Sequence, residues 1–326
     1  MRKVWVFWLV FLAVAVALTG CQALGGRKAP QKVTIAMGFI PNVQFAPMYV
    51  ALERGYFAQE GLEVELDYGM ETDLLKRVGT NDLQFAIASG DQVILARANG
   101  LPVRYVLNWY RRFPVCVVSL AEKGIRTPQD LIGKTVGIPV TEGASYIGWL
   151  AFLDEVGIAP NQVNLQVIGY TQVASLVEKR VDAAVCYALN EPVQLRESGY
   201  AITAFYLDQY TRLVSNGIIT NDETIKKNPK LVQGVVRAFL RGLKDTLADP
   251  DAAFEIARKR IPEMDEATAK LQRAVLEESI AFWKGEPLGA SDPQAWAESV
   301  AFMKQLGLIT TDLDPEALYT NQFITP

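Results

Sequence analysis

The sequence predicts a two-lobed α/β protein, in which two three-layer αβα lobes enclose a ligand cleft. Short β-branched runs alternate with helical patterns from residue 33, and the alternation restarts at Thr127. Beyond residue 222 the pattern becomes mainly helical and is punctuated by prolines. A chain of 326 residues is longer than one hydrophobic core usually organises, so two lobes are expected.

The first 21 residues have the features of a secretory signal. Arg2 and Lys3 precede an uncharged run, and Leu18-Thr19-Gly20-Cys21 resembles a lipobox. The run is shorter than the ~20 residues that a spanning helix requires. We expect residues 1–20 to be a removed signal peptide, Cys21 to be acylated, and residues 21–32 to be a tether. An uncleaved anchor is the alternative, and either arrangement places the protein on the extracytoplasmic face of the cell membrane.

The first lobe opens with a strand over residues 33–37 that ends at Gly38. Pro47 suits the start of the following helix, and Gly55 suits its end. In open α/β sheets, ligands bind at the carboxyl edge of the strands. The side chains that follow this strand are therefore predicted to contact a ligand. They are Asn42, Gln44, Phe45 and Tyr49. Phe45 and Tyr49 could instead be core aromatics beneath the helix.

Three further strands are predicted in this lobe, over residues 62–68, 83–88 and 103–108, and a strand over residues 115–120 leaves it. Polar or aromatic residues directly follow two of these strands. We therefore add four predicted ligand contacts, which are Ser89, Asp91, Trp109 and Tyr110. The carboxylate of Asp91 could instead serve the adjacent helix dipole, an interaction of about 0.3–1 kcal/mol.

The second lobe is predicted to span residues 119–206, and residues 33–118 and 207–326 form the first lobe. Strands are expected at residues 135–138, 163–168, 183–186 and 201–206. Residues near the ends of these strands complete the predicted site. They are Tyr146, Tyr187, Asn190, Glu191 and Tyr206. Glu191 could instead act as a charge at a helix N-terminus.

The remaining chain carries a strand within residues 213–220 and four helices. The helices are predicted at residues 229–248, 251–260, 267–283 and 293–306. We expect this helical set to pack on the first lobe. Ligands then lie between the lobes, and hinge closure encloses them.

The aromatic residues at the strand ends favour a flat heterocycle, because ring contacts stabilise by about 0.5–1.5 kcal/mol beyond burial. Trp109 and Tyr187 are the preferred stacking residues, since each directly follows a strand. Arg111 and Arg112 could form a clamp for an anion, but a solvated pair at the lobe junction is the preferred interpretation.

Composition excludes several kinds of function. The chain has no histidine, so a histidine-dependent triad or a zinc hydrolase is not expected. We predict no metal, no cofactor and no catalytic residues. The net charge of −4 argues against nucleic acid as a partner. Cys116 and Cys186 lie in apolar runs and are either buried thiols or a disulfide.

Four segments carry a family resemblance. They read NVQFAPMYVALERGYFAQEGLEVEL, SGDQ, RTPQDLIGKTVGIP and VDAAVCYALNEP. Across roughly residues 33–248 the chain resembles the NMT1/THI5-like solute-binding proteins of ABC importers. The resemblance implies a type II periplasmic-binding-protein fold, a non-enzymatic receptor that acts as a monomer, and an ABC permease as partner.

Within that family, the sequence is most similar to riboflavin-binding lipoproteins, and next to binders of formylaminopyrimidine, a thiamine precursor. The resemblance therefore implies riboflavin as the ligand, with the pyrimidine and then an alkyl sulfonate as alternatives. Family members that synthesise pyrimidines use an active-site histidine as a substrate, which this chain lacks. An extracytoplasmic sensor domain remains a further alternative.

Overall fold

The computed structural model describes residues 29–69, 71–262 and 264–324. The chain divides after Gln31, and residues 32–326 form one compact unit. The predicted signal peptide and the acylated Cys21 lie outside the described residues. In the described ranges, no helix has the length and apolar character needed to cross a membrane.

Within the part of the chain that the structure describes, ten strands form two five-stranded sheets. The strands are β1 (Gln31–Met37), β2 (Leu62–Tyr68), β3 (Phe85–Ser89), β4 (Val103–Asn108), β5 (Val115–Leu120), β6 (Thr135–Ile138), β7 (Asn164–Val167), β8 (Ala183–Tyr187), β9 (Ile202–Tyr206) and β10 (Asn216–Asn221). The first sheet has the order β2-β1-β3-β10-β4, and the second has the order β7-β6-β8-β5-β9. In the first sheet β10 runs antiparallel to β3 and β4; in the second β5 runs antiparallel to β8 and β9.

Helices pack around these sheets. They are α1 (Ala46–Glu53), α2 (Tyr56–Gln59), α3 (Glu71–Gly79), α4 (Gly90–Ala98), α5 (Gly143–Glu155), α6 (Gln172–Val177), α7 (Glu191–Glu197), α8 (Asp222–Lys227), α9 (Pro229–Ala248), α10 (Pro250–Arg258), α11 (Glu266–Trp283) and α12 (Pro293–Gln305). Of the C-terminal helices, α9 and α10 pack on α1, as expected for the first lobe, while α11 also reaches α7 of the second lobe.

The crossover between the sheets lies earlier than the predicted boundary at residue 118. All six residues of β5 are buried, and the strand pairs with β8 and β9 of the second sheet. The chain therefore crosses between Asn108 and Val115, and it returns between Tyr206 and Asn216. A fully apolar run indicates a strand that is buried on both faces, but it does not specify which sheet the strand joins.

The core follows the two-residue period of the strands. In β1, Ile35 and Met37 belong to one buried apolar cluster, and the intervening Ala36 belongs to the other. Successive side chains of a strand point to opposite faces, so one strand contributes to packing on both sides of its sheet. The resulting layers of helices hold the ends of the strands in fixed positions.

Cys116 and Cys186 are opposed across β5 and β8, and both are free, buried thiols. The thiol of Cys116 lies 3.8 Å from the carbonyl oxygen of Cys186. Burial raises the pKa of both thiols well above the ordinary value. These cysteines therefore behave as small apolar core residues rather than as nucleophiles.

Helix α9 approaches α1 closely at Gly242. A Cβ atom at this position would lie 2.2 Å from the carbonyl oxygen of Pro47 and 2.8 Å from the Cβ of Ala51. A side chain therefore fits only if the two helices separate. Because α1 follows the turn that carries Gln44 and Phe45, this packing also positions that turn.

We expect Gly242→Ala to lower the free energy of unfolding by about 1–3 kcal/mol, because the added methyl group overpacks the interface. Urea denaturation monitored by circular dichroism measures the change. Gly234→Ala on the same helix is the matched control, since a Cβ there lies 3.3 Å from its nearest neighbour, the Cβ of Glu60. Equal destabilisation by both substitutions would contradict this account.

Candidate ligand-binding cleft

A cleft lies between the two sheets, where residues from both lobes meet. Its cavity volume is about 170 Å³. A cavity that holds one water molecule has a volume of about 15 Å³, so this cleft is roughly ten times larger. Six aromatic side chains of the described residues line it, namely Phe39, Phe45, Trp109, Tyr110, Tyr170 and Tyr187. The cleft can therefore hold a small organic molecule with several ring contacts.

One wall is a 3-10 turn over Val43–Phe45 that precedes α1. The Asn42 side chain caps this turn by accepting a 2.9 Å hydrogen bond from the backbone N–H of Gln44. Gln44 lines the cleft and is 7 % exposed, and its Nε2 has no hydrogen-bond partner among the described residues. A buried donor without a partner destabilises the folded protein by about 1–3 kcal/mol. A ligand that offers an acceptor to this amide would remove that penalty.

Trp109 and Tyr110 contribute from the first crossover. Their backbone N–H groups both donate to the carbonyl oxygen of Asn216, at 3.1 and 2.9 Å. Phe239 of α9 contacts the Trp109 ring edge to face at 5.1 Å, and Trp283 of α11 lies 5.5 Å from it. Trp109 Nε1 is buried and lacks a partner in the described part of the chain. Trp109 is thus both a core residue and a part of the cleft lining.

The opposite wall comes from the end of β8 and the start of α7. The backbone N–H of Tyr187 donates to Glu191 Oε2 at 2.8 Å, and the Tyr187 hydroxyl donates to Asn216 Oδ1 at 3.2 Å. The second bond joins the two lobes inside the cleft. Burial raises the pKa of Glu191 to about 7, against the lowering effect of backbone N–H donors.

A second contact between the lobes joins Phe39 and Tyr170. Phe39 follows β1 and Tyr170 follows β7, and their ring centroids are 6.1 Å apart with a 55° interplanar angle. Tyr170 is 58 % exposed, although it lines the cleft. This aromatic pair therefore spans the cleft at its solvent side.

Seven of the predicted contacts line the cleft: Gln44, Phe45, Trp109, Tyr110, Tyr187, Asn190 and Glu191. Six others do not: Asn42, Tyr49, Ser89, Asp91, Tyr146 and Tyr206. Whether the seven bind a ligand remains a prediction. The other six have structural roles that explain their positions.

Tyr49 lies on α1 and is fully buried, and its hydroxyl lies 3.0 Å from that of Tyr68. The Tyr206 hydroxyl accepts a 2.8 Å hydrogen bond from Arg196. Asp91 is 3 % exposed and accepts from Gln92 Nε2 at 2.8 Å, and burial raises its pKa. The two hydroxyls and Oδ2 of Asp91 are thus directed to protein partners rather than to the cleft, while Asp91 Oδ1 is buried without a partner among the described residues.

The remaining residues of this group serve the secondary structure. Ser89 is buried at the end of β3 and is the N-cap residue of α4. Asn42 caps the turn before α1, as described above. Tyr146 is half-buried on α5 and packs against an apolar cluster. None of these positions belongs to the cleft lining.

Sequence reasoning missed Tyr170, Gln172 and Asn216, which all line the cleft. Tyr170 follows a predicted strand, so the strand-end signal was present. Asn216 was placed within a strand over residues 213–220, whereas β10 begins at Asn216 and is antiparallel. The amino end of an antiparallel strand shares an edge with the carboxyl ends of its neighbours, so Asn216 reaches the ligand side.

Arg111 and Arg112 line a separate cavity beside the lobe junction, not the cleft. Arg111 donates to the carbonyl oxygen of Ala290, at 2.5 Å. Arg112 pairs with Asp208, and its guanidinium lies over the Phe282 ring at 4.2 Å. The structure therefore does not form the alternative anion clamp at the cleft.

The chain matches the NMT1/THI5 like family over residues 42–253. This protein belongs to the NMT1/THI5-like family. It is 42% identical over 318 residues to the riboflavin-binding protein RibY of Chloroflexus aurantiacus, covering 95% of this chain and 91% of the relative. A formylaminopyrimidine-binding protein of Halalkalibacterium halodurans is 29% identical, covering 91% of this chain and 93% of the relative.

The fold is also that of a solved binding protein. The periplasmic aliphatic sulphonate binding protein SsuA of Escherichia coli superposes with a TM-score of 0.73 at 14% identity. The match covers 89% of this chain and 92% of that chain. The predicted family and the periplasmic-binding-protein fold are therefore confirmed.

The raised pKa of Glu191 predicts a stability change with pH. The folded state retains the proton up to about pH 7, whereas an unfolded glutamate loses it near 4.5. This contribution to stability is fully present below pH 4.5 and is lost as the pH rises through about 7. The full change is on the order of 3 kcal/mol.

The native protein should lose stability between pH 5 and pH 8, whereas Glu191→Gln should not, because glutamine does not ionise. We therefore expect the unfolding free energy of the variant minus that of the native protein to be larger at pH 8 than at pH 5. Urea denaturation at both pH values measures the difference. Glu277→Gln changes an exposed carboxylate on α11 and is the control. The assignment fails if the difference between the native protein and Glu191→Gln is the same at both pH values.

Proposed function

We propose that this protein is a non-enzymatic, extracytoplasmic lipoprotein that captures riboflavin and delivers it to an ABC permease. The observation that carries the proposal is the cleft lining, in which six aromatic side chains surround the buried donors of Gln44 and Trp109. A flavin ring offers planar faces for the aromatic groups and carbonyl and ring-nitrogen acceptors for the donors. The 42% identity to a riboflavin-binding relative supports the same ligand.

Capture requires the lobes to open and then close on the ligand. The Phe39–Tyr170 pair and the Tyr187–Asn216 hydrogen bond both join residues of different lobes, so both must separate for entry. Closure reforms these contacts and excludes water, which strengthens the ligand's hydrogen bonds. The permease then receives the ligand when the lobes reopen. Acylation of Cys21 would keep the receptor at the membrane.

A formylaminopyrimidine is the second candidate ligand, supported by the 29% identical relative and by the same ring faces and donors. Pyrimidine synthesis is not proposed, since the chain has no histidine to supply as a substrate. A sulfonate ligand is also disfavoured. Among the described residues that line the cleft there is no Lys or Arg, and a small sulfonate requires mainly donors and positive charge.

Riboflavin is expected to bind the chain from Gln22 onward with saturable quenching of flavin and tryptophan fluorescence. Gln44→Leu should lower the affinity about tenfold, because it removes a donor to the ligand, yet leave the free protein equally or more stable. Gln92→Leu is the matched control. Gln92 is also buried but donates to Asp91, so its loss should destabilise the protein without a specific effect on affinity.

Saturable binding of the formylaminopyrimidine without a response to riboflavin would reassign the ligand. An unchanged riboflavin affinity in Gln44→Leu would show that the Gln44 amide does not donate a hydrogen bond to the ligand. Thermal stabilisation by either compound provides a second readout that does not depend on fluorescence.

Tyr170→Ala is expected to raise the riboflavin dissociation rate about two- to tenfold, since a ring pair contributes about 0.5–1.5 kcal/mol. Stopped-flow displacement measures the rate. Tyr200→Ala is the control, because Tyr200 is also an exposed tyrosine of the second lobe but lies outside the cleft lining. Equal rates for the two variants would show that the Phe39–Tyr170 contact does not retain the ligand.

A further inference from the structure

Among the described residues that line the cleft, the charged side chains are both acidic. Glu142 and Glu191 are the two ionisable carboxylates there, and the described lining contains no Lys or Arg. Arg111 and Arg112 directly follow Tyr110, which lines the cleft, and could have neutralised these carboxylates. Both arginines instead line the separate cavity at the lobe junction. Their guanidinium groups are held by the Ala290 carbonyl and by Asp208.

The N-terminus of helix α5 is a feature of the cleft that would favour an anion. Helix α5 begins at Gly143, and Gly143, Ala144 and Ser145 line the cleft. A helix N-terminus carries about +0.5 of an elementary charge and commonly binds phosphate. A cleft of this fold could therefore hold a charged group at this position.

Glu142 occupies the N-cap position of α5, directly beside those amides. Its side chain is exposed and makes no capping hydrogen bond within the described residues. Its carboxylate therefore opposes the partial positive charge of the helix terminus. Glu191 adds further negative charge as it ionises near neutral pH. The charged side chains of the described cleft lining therefore contribute only negative charge.

We infer that the cleft selects the neutral vitamin and rejects its phosphorylated forms, and that Glu142 is a specificity-determining residue. This inference rests on the proposed function. A phosphate monoester carries a charge of about −1.5 to −2 at pH 7, so a phosphate held at the α5 N-terminus would be repelled by the adjacent carboxylate of Glu142. The ring contacts are common to both compounds, and the discrimination therefore comes from charge.

The experiment compares riboflavin with flavin mononucleotide in fluorescence titrations of the same protein at pH 7.5. The native protein should bind the mononucleotide at least about tenfold more weakly. Glu142→Gln should reduce this ratio at least about threefold, and Glu142→Lys should reduce it further. Raising the salt concentration to 1 M should also reduce the ratio, since the screening length falls to about 3 Å.

Glu155→Gln is the matched control. It removes the same charge from the other end of α5, about 20 Å from Glu142 along the helix axis. It should leave the ratio of the two affinities unchanged. A lowered ratio in Glu142→Gln but not in Glu155→Gln assigns the discrimination to the cleft rather than to the overall charge of the protein.

The outcomes separate this inference from the proposed function. Equal affinities for the two flavins in the native protein, or tighter binding of the mononucleotide, overturn the inference and leave riboflavin capture standing. If neither Glu142→Gln nor Glu142→Lys changes the ratio of the two flavin affinities, Glu142 does not determine the specificity. Absence of binding to either flavin overturns both the proposed function and the inference.

Discussion

The hydrogen bonds of Asn216 hold together the parts from which the cleft is built. Its carbonyl oxygen accepts hydrogen bonds from the backbone N–H groups of Trp109 and Tyr110, which lie on the first crossover between the sheets. Asn216 itself is the first residue of β10, which follows the second crossover. Its side chain accepts from the Tyr187 hydroxyl of the second lobe. Three chain segments thus converge on one residue. Loss of the Asn216 side chain would release Tyr187 of the second lobe, whereas the backbone bonds to Trp109 and Tyr110 would remain.

Local patterns sufficed for much of the fold and for part of the site. Strand ends are visible as β-branched runs that stop at glycine, proline or an aromatic residue, and such ends placed Trp109, Tyr187 and Gln44 at the cleft. They did not reveal which strands pair. The all-buried β5 was therefore assigned to the wrong side of the crossover, and Asn216 was overlooked because the direction of β10 is a tertiary property.

Side-chain direction was also beyond the local pattern. Tyr49 follows the same strand as Gln44, but α9 covers α1 and encloses its ring, so the hydroxyl is directed to Tyr68. The covering helix lies about 190 residues later in the chain. Tyr206 likewise ends a strand, yet a neighbouring arginine satisfies its hydroxyl. Which strand-end residue faces a ligand thus depends on what packs behind it.

Trp109 illustrates why core and ligand roles are not exclusive. Its ring contacts Phe45, Tyr110, Phe239 and Trp283, and it is 1 % exposed, yet it also lines the cleft. Truncation to alanine would open a cavity costing about 3–5 kcal/mol, and any loss of affinity would then have two causes. Gln44 lacks this ambiguity, because its buried amide has no described partner to lose. Affinity changes at Gln44 therefore report on the ligand, whereas those at Trp109 report on the fold as well.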